Sequence, residues 1–389
     1  MTLQEHAHLD WPFFEEPHRR LARDLSAWAD REITPLTESA KDVEAICRNV
    51  IRSLGEGDWL RYCVPSSHGG AFTNLDVRAL CICRETLAQH AGIVDHAFAM
   101  QGLGAGPISL YGSDALKDRY LPGVRDGTRI AAFALTEPEA GSDLGAMRTT
   151  AARDGQGWRL DGEKTYIANA GIADFYVVFA KLPDSEGEKS FGAFVVDADA
   201  KGLGVTERVT TLSPQPLGTI LMSDCKVFED AMIGPPGKGL RVALGTMDLF
   251  RSAVAAAAVG FGRRALGEAW KHVKQRHVFG KPLAEHQFTQ ARIAEMATVI
   301  DASALLVYRA AWTRDKVADR VTREAAMAKL YATEVAQRVV DSAVQLLGAR
   351  GIIEGSTMER LYREIRGLRI FEGTSEIQQL LIAGDVLAD

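Results

Sequence analysis

The sequence is poor in the features that would give a quick answer, and each shortage excludes something. Five cysteines (Cys47, Cys63, Cys81, Cys83, Cys225) are an odd number with no C-x-x-C pair, so neither a disulfide framework nor a cysteine zinc site is indicated. They read as reduced, buried thiols. The nine histidines include no H-E-x-x-H, and His6 and His8 fall in a segment expected to be loose, so no metal is inferred. No apolar run reaches the ~20 residues of a membrane span. The longest, "AVAAAAVGFG", is bracketed by Arg251, Arg263 and Arg264. Neither sign of charge dominates: a formal charge of -6 with acids and bases interspersed offers no basic face for nucleic acid. The N-terminus has no basic start leading into an apolar run and carries Glu5, Asp10, Glu15 and Glu16, so a cytoplasmic location is expected. G-x-x-x-x-G-K-[ST], G-x-S-x-G, internal repeats and low-complexity segments are also missing.

What is present has a clear order. "RRLARDLSAWADREI" puts Leu21, Leu25 and Trp28 on one helical face, and "LDVRALCICRETLAQ" repeats the period. From about residue 130 short runs of strand formers take over: "GWRLDGEKTYIANA", "DFYVVFAKL", "FGAFVVDAD" and "LMSDCKVFED". Asp161-Gly162 between two such runs predicts a hairpin turn. After "IGPPGKGL" the helical period returns. One stripe holds Val254, Ala258, Phe261, Ala265 and Ala269, a second Ile293, Met296, Ile300, Ala304 and Val307, a third Ala332, Val335, Val339, Ala343 and Leu346. Small residues along these stripes suit a bundle that also packs on a second subunit. The expected domains are 1–130 helical, 131–236 β and 237–389 helical.

Four motifs invite chemistry. "GLGAGP" and "GFGRRALG" are fragments of a dinucleotide fingerprint, but neither follows a strand in a βαβ unit, and close helix packing explains them better. "LTEPEAGSD" brings Thr136, Ser142 and free amides to the end of a strand, where they suit a polar ring or phosphate, or merely a turn. "KQRHVFGKPLAEHQ" joins Lys274, Arg276 and Lys281 with Phe279, close after Lys271, for a phosphate and an adenine, or a solvated helix end. In "FEGTSEIQ", Ser375 and Gln378 have capping-box spacing, which places Glu372 just ahead of a helix start. A carboxylate there suits a base or plain stabilisation of the helix.

Taken together the chain resembles the acyl-CoA dehydrogenase family over nearly its whole length. The likeness is carried, in order, by "PISLYGSDALKDRYLP", "LTEPEAGSD", "WRLDGEKTYIANAG", "MDLFR", "RHVFGKPLAEHQ", "QLLGARG" and "IFEGTSEIQ". It implies an α+β multidomain fold: an N-terminal helical domain, a central β-barrel domain and a C-terminal four-helix bundle. It implies FAD as cofactor and an acyl-CoA thioester as substrate. Glu372 removes the α-proton while the β-hydrogen leaves as hydride to the flavin, and electrons pass to an electron-transferring flavoprotein. The base's own amide and a flavin hydroxyl stabilise the developing oxyanion.

Carried over residue by residue, Leu135, Thr136, Ser142, Tyr166 and Ala168 contact the flavin. Arg276, Phe279, Gln287, Gln345 and Gly348 hold its pyrophosphate and adenosine, partly from a neighbouring subunit, and Thr374 and Glu376 complete that end. Ser142, Asp248, Arg251, Phe371 and Gly373 serve the substrate. Some relatives carry the base before the arginine of "D-x-x-R"; here that residue is Phe250, so Glu372 stands alone. Three departures stand out. Tyr166-Ile167-Ala168-Asn169 replaces W-I-[TS]-N and removes a hydroxyl beside the ring. Gly384 stands at a common arginine, and Ala349 at a common glycine. Phe250, Phe371 and the helix of "HAFAMQGLGAG" are expected to line a pocket for a short, branched or cyclic acyl group. A homodimer or homotetramer is expected. Two alternatives remain at this stage: an oxygen-using flavoenzyme of the same fold, and a catalytically silent CoA-binding protein, which predicts a lost base or ruined FAD contacts.

Overall fold

The structure, a computed structural model, describes residues 7–38, 42–183 and 190–388. Five helices come first: α1 (Glu16–Glu38), α2 (Val43–Glu56), α3 (Val77–His90), α4 (Gly92–Tyr111) and α5 (Asp114–Arg125). Strands β1 (Ala131–Ala134), β2 (Thr150–Asp154), β3 (Gly157–Ala168), β4 (Phe175–Lys181), β5 (Phe191–Asp197), β6 (Leu203–Arg208) and β7 (Leu217–Phe228) follow. Then come α6 (Gly239–Gln275), a small hairpin of β8 (His277–Val278) and β9 (Lys281–Pro282), and α7 (Gln287–Lys316), α8 (Thr322–Leu347), α9 (Thr357–Gly367) and α10 (Ser375–Val386). The expected order of helices, sheet and helices is observed. The chain packs as two compact units, one of Pro35–Asp76 and His96–Met247, the other of residues up to Thr34, Val77–Asp95 and Asp248 onward.

The first unit is built on a curled seven-stranded sheet in the order β1-β4-β2-β3-β7-β6, with β5 also on β4. β4 reads "FYVVFAK" without alternation because both its faces are covered: every residue but Lys181 is buried. Ala105 and Ile108 of α4 and Leu116, Leu121 and Val124 of α5 join Phe175 and Val177 in this core. Each such large apolar side chain contributes roughly 1.5–3 kcal/mol on burial. A Cβ on Gly104 would lie 2.7 Å from the Ala131 Cβ, so "GLGAGP" serves close helix-to-strand packing.

The expected hairpin at Asp161-Gly162 is not there. Both residues lie inside β3, where a bulge between Leu160 and Gly162 absorbs the positive φ of Gly162, and a side chain there would strike Thr149. The hairpin turn lies one Asp-Gly pair earlier. Asp154 pairs with Gly157 across Gly155 and Gln156, with Gly155 at φ +60°.

In the helical unit α3 is buried from Val77 to Ala88, so its apparent amphipathic period belongs to a helix covered on all sides. It therefore carries Arg78, Arg84 and Glu85 into the core, where each is paired. All three predicted stripes face inward, apart from their half-buried ends at Ile293 and Leu346. α6 is long and apolar enough to cross a membrane, but 78% of its most apolar window is buried inside the protein, as in a core helix. A Cβ on its Gly260 would lie 2.2 Å from the Glu85 carbonyl oxygen, so the "GFGRRALG" glycine permits close helix packing. The loose N-terminal segment needs correcting: His6 lies outside the described residues, but His8 is 7% exposed, stacks on Tyr308 and pairs with Glu85. The five cysteines are free and buried, as expected.

Candidate active site

The turn between α9 and α10 is set by local backbone rules. The N–H groups of Ile370 and Phe371 both bond the Gly367 carbonyl, closing α9. Glu372 and Gly373 then take left-handed backbone at φ +56° and +90°. For a residue with a Cβ that conformation costs about 1–2 kcal/mol, so the surroundings must hold it. They do so through the Gly373 carbonyl, which accepts from Lys329 Nζ at 2.6 Å and Gln378 Nε2 at 3.0 Å. The cap of α10 is Thr374, whose Oγ1 accepts from the Ile377 N–H at 3.4 Å. Ser375, expected to be the cap, instead donates to Glu334 Oε1 at 2.6 Å, an oxygen that also accepts from Arg369. The cap moves by one residue because a long-range partner takes the serine hydroxyl. Glu372 still sits just ahead of the helix start.

The Glu372 side chain is 10% exposed and its Oε1 lies 3.6 Å from Arg84 Nη1. Its Oε2 has no hydrogen-bond partner, and neither has Arg84 Nη1. Among the described residues the Glu372 N–H makes no hydrogen bond either. Arg84 is held by Asp95 through two bonds, Nε to Oδ1 at 2.8 Å and Nη2 to Oδ2 at 2.9 Å. Burial pushes the Glu372 carboxyl above the usual carboxylate range, opposed by the cations of Arg84 and Lys329. Lys329, fully buried, is pushed down to about 8 by that burial, opposed first by Glu372. Burial works against the charge on Arg84, but Asp95 more than offsets it and the guanidinium stays charged.

Asp248 and Arg251 form an ion pair along α6, and the other Asp248 oxygen accepts from Thr322 at 2.9 Å. Arg251 is 3% exposed, its Nε has no partner, and it feels Glu372 after burial and Asp248. Phe371 is 37% exposed. Phe250, expected as a pocket wall, is buried in the helical unit at 2% exposure.

The residues carried over to FAD divide between the two units. In the sheet unit Leu135 is buried, Thr136 and Ala168 are half-buried, and Ser142 is exposed. The Thr136 carbonyl accepts from the Thr165 N–H at 3.0 Å, which sets Thr136 beside Tyr166. Tyr166 stands in a bulge of β3 at φ +55° and is 61% exposed. An aromatic face on strained backbone next to an open hydroxyl fits a flat ring with polar edges. Asn169 of the same stretch is structural, donating to the Ala131 carbonyl at 3.0 Å.

In the helical unit Arg276, Gln287, Gln345 and Gly348 are exposed, and Phe279 is 96% exposed at φ +50° on the β8–β9 turn. Burial and then the charges of Arg350 and Arg276 lower the His272 pKa, which brings the connector and the end of α8 into one basic neighbourhood. That donor set fits a pyrophosphate with an aromatic platform for adenine. Thr374 is engaged as a cap, while Glu376 is exposed at the start of α10.

Sequence reading missed Arg84, Asp95 and Lys329. The available signal was charge within apolar stretches, "ALCICRETL" and "AAMAKLYA", where an ionisable residue must find a buried partner.

Comparison with known proteins gives the rest. The acyl-CoA dehydrogenase N-terminal domain matches residues 15–128, the middle domain 132–225 and the C-terminal domain 237–387. The chain is 36% identical over 381 residues to a 3-(aryl)acrylate reductase of Clostridium sporogenes, covering 96% of this chain and 100% of that one. It is also 36% identical over 375 residues to the caffeyl-CoA reductase-Etf complex subunit CarC of Acetobacterium woodii, covering 95% and 97%. The solved butyryl-CoA dehydrogenase of Megasphaera elsdenii superposes with a TM-score of 0.90 at 29% identity, covering 96% of this chain and 99% of that one. The chain belongs to the acyl-CoA dehydrogenase family, FAD-dependent oxidoreductases acting on CH–CH donors.

Proposed function

We propose that this flavoenzyme dehydrogenates an acyl-CoA thioester to the 2-enoyl-CoA, with Glu372 as the base that takes the α-proton. The observation that carries the reading is the Glu372 turn: a buried carboxylate on strained backbone, with one oxygen lacking any partner. An α-proton of a thioester is a very weak acid, so its removal needs an aligned base whose pKa has been brought up toward the working pH. Burial supplies that rise, while Arg84 and Lys329 keep the group ionisable. The Glu372 N–H is a donor for the thioester oxygen as negative charge develops there. The Asp248–Arg251 pair serves the CoA end of the substrate, with Ser142, Phe371 and Gly373 as further contacts.

FAD, when bound, supplies the acceptor for the β-hydrogen, which leaves as hydride. Leu135, Thr136, Ser142, Tyr166 and Ala168 hold the ring. Arg276, Phe279, Gln287, Gln345, Gly348, Thr374 and Glu376 hold its other end, shared within a homodimer or homotetramer. An electron-transferring flavoprotein is the electron acceptor, a reading supported by the Etf complex of the Acetobacterium relative.

The same residues serve the reverse direction, with Glu372 returning a proton to the α-carbon; two relatives named as reductases favour this second reading. Anaerobic titration of the holoenzyme with a panel of acyl-CoA thioesters separates the two. Bleaching of the flavin by a saturated thioester supports dehydrogenation. Reoxidation of the reduced enzyme by an arylacryloyl-CoA, without bleaching by any saturated thioester, supports reduction as the working direction.

A further inference from the structure

The charged groups facing Glu372 come from four places. Arg84 lies on α3 and Asp95 in the first turn of α4, Lys329 on α8, and Arg251 with Asp248 on α6. When Glu372 is ionised, these three cations are balanced by three carboxylates. Arg84 is the pivot. Its Nε and Nη2 are locked on Asp95, its side chain is 4% exposed, and Nη1 is turned to Glu372 with no hydrogen bond of its own. A guanidinium is planar, so fixing one edge on a carboxylate fixes the direction of the remaining N–H groups. Nη1 is therefore aimed before substrate arrives.

We propose that Arg84, locked by Asp95, is the positioning residue that keeps Glu372 an ionised base, and that this commitment restricts the site to uncharged acyl groups. The proposal rests on the reading of Glu372 as the base. A carboxylate on the acyl group would compete with Glu372 for the Nη1 of Arg84. It would also leave the cluster with an unbalanced negative charge away from water, which is strongly unfavourable. An aliphatic or aryl acyl group brings no such charge.

Two measurements test it. Infrared difference spectroscopy of the holoenzyme follows the Glu372 carboxyl against pH without turnover, the band being assigned by its loss in Glu372→Gln. In Arg84→Gln the midpoint should rise by about one pH unit or more, because a cation next to the carboxylate has gone. Arg84→Lys should restore most of the shift. An unchanged midpoint in a folded, FAD-loaded Arg84→Gln overturns the positioning role. Should Arg84→Gln fail to fold, Asp95→Asn, which frees the guanidinium, should still move the midpoint; no movement there overturns the proposal too.

The second measurement compares butyryl-CoA with glutaryl-CoA as probes on the wild-type holoenzyme. Glutaryl-CoA should bind about tenfold more weakly or worse, and bleach the flavin more slowly. Equal binding and bleaching overturn the restriction. Failure of the dehydrogenase reading looks different: no thioester bleaches the flavin, while the Glu372 midpoint still moves in Arg84→Gln.

Discussion

Both units bury a cation against a carboxylate, and the two arrangements differ in one respect. In the sheet unit Lys164 donates to Glu137 Oε1 at 2.8 Å and to the Leu135 carbonyl at 3.1 Å. Glu137 also accepts from the backbone N–H groups of Arg148 and Thr149, so that network is closed. In the helical unit Arg84 and Asp95 are as well buried and as well bonded to each other, yet Arg84 Nη1 and Glu372 Oε2 are left without hydrogen bonds. Buried polar groups left unmatched cost free energy, so a closed network is explained by stability alone and an open one is not. The Lys164–Glu137 pair ties the "LTEPEAGSD" turn to β3. On the proposed reading, the Arg84–Asp95–Glu372 group keeps that capacity in reserve for a reacting partner.

The sharpest way to break this comparison is to remove each carboxylate. Glu372→Gln should lower the rate of flavin reduction by about 10³-fold or more, the scale of a lost general base, with FAD retained and little change in melting temperature. Rapid-mixing absorbance and thermal unfolding read both. Glu137→Leu should do the opposite. It strands Lys164 in the interior and should cost about 3–5 kcal/mol in chemical denaturation, in line with broken buried ion pairs.

Lys329 sharpens the same contrast, because it holds the Gly373 carbonyl and faces Glu372. Its pKa is pushed down to about 8, so it loses its proton as pH rises through that value, and kcat/KM should fall there. Lys329→Gln should remove that alkaline limb and lower the rate about tenfold, as for a lost charged donor. A limb that persists in the variant belongs to another group.

The smallest effect concerns Glu364 of α9, whose carboxyl is raised to about 7 by burial and accepts from the Gly92 N–H. A carboxyl raised on folding contributes stability that is fully present below its unfolded value and is lost as pH rises through the folded one. The window here runs from ordinary carboxylate values to about 7. Glu364→Gln should therefore raise the melting temperature by a few degrees at pH 8 and change it little at pH 5; equal shifts at both would contradict the assignment.

Much of the fold was legible because it depends on short-range pattern. The helical stripes around Val254, Ile300 and Val339 and the strand texture of "DFYVVFAKL" need no distant partner to be read. Local chemistry misled where two equivalent signals competed. Asp154-Gly155 and Asp161-Gly162 are the same dipeptide, and only pairing with β7 shows that the second lies in a bulge. Thr374 and Ser375 both cap well, and the choice falls to Glu334 on another helix. At the site, the turn and helix start around Glu372 were legible, but a carboxylate there suits helix stabilisation as well, and only the family resemblance singled it out as a base. Arg84, Asp95 and Lys329 were not, because their meaning lies in contacts between α3, α4, α8 and the Glu372 turn that no local pattern encodes.

The most direct test of Glu372 as the base is a rapid-mixing comparison of a protiated thioester that reduces the wild-type flavin with the same thioester deuterated at the α-carbon. Removal of the α-proton by Glu372 predicts slower flavin reduction with the deuterated substrate in the wild type, and reduction slowed about 10³-fold or more with either substrate in Glu372→Gln. Equal rates for the two substrates, together with unimpaired reduction in Glu372→Gln, would contradict it.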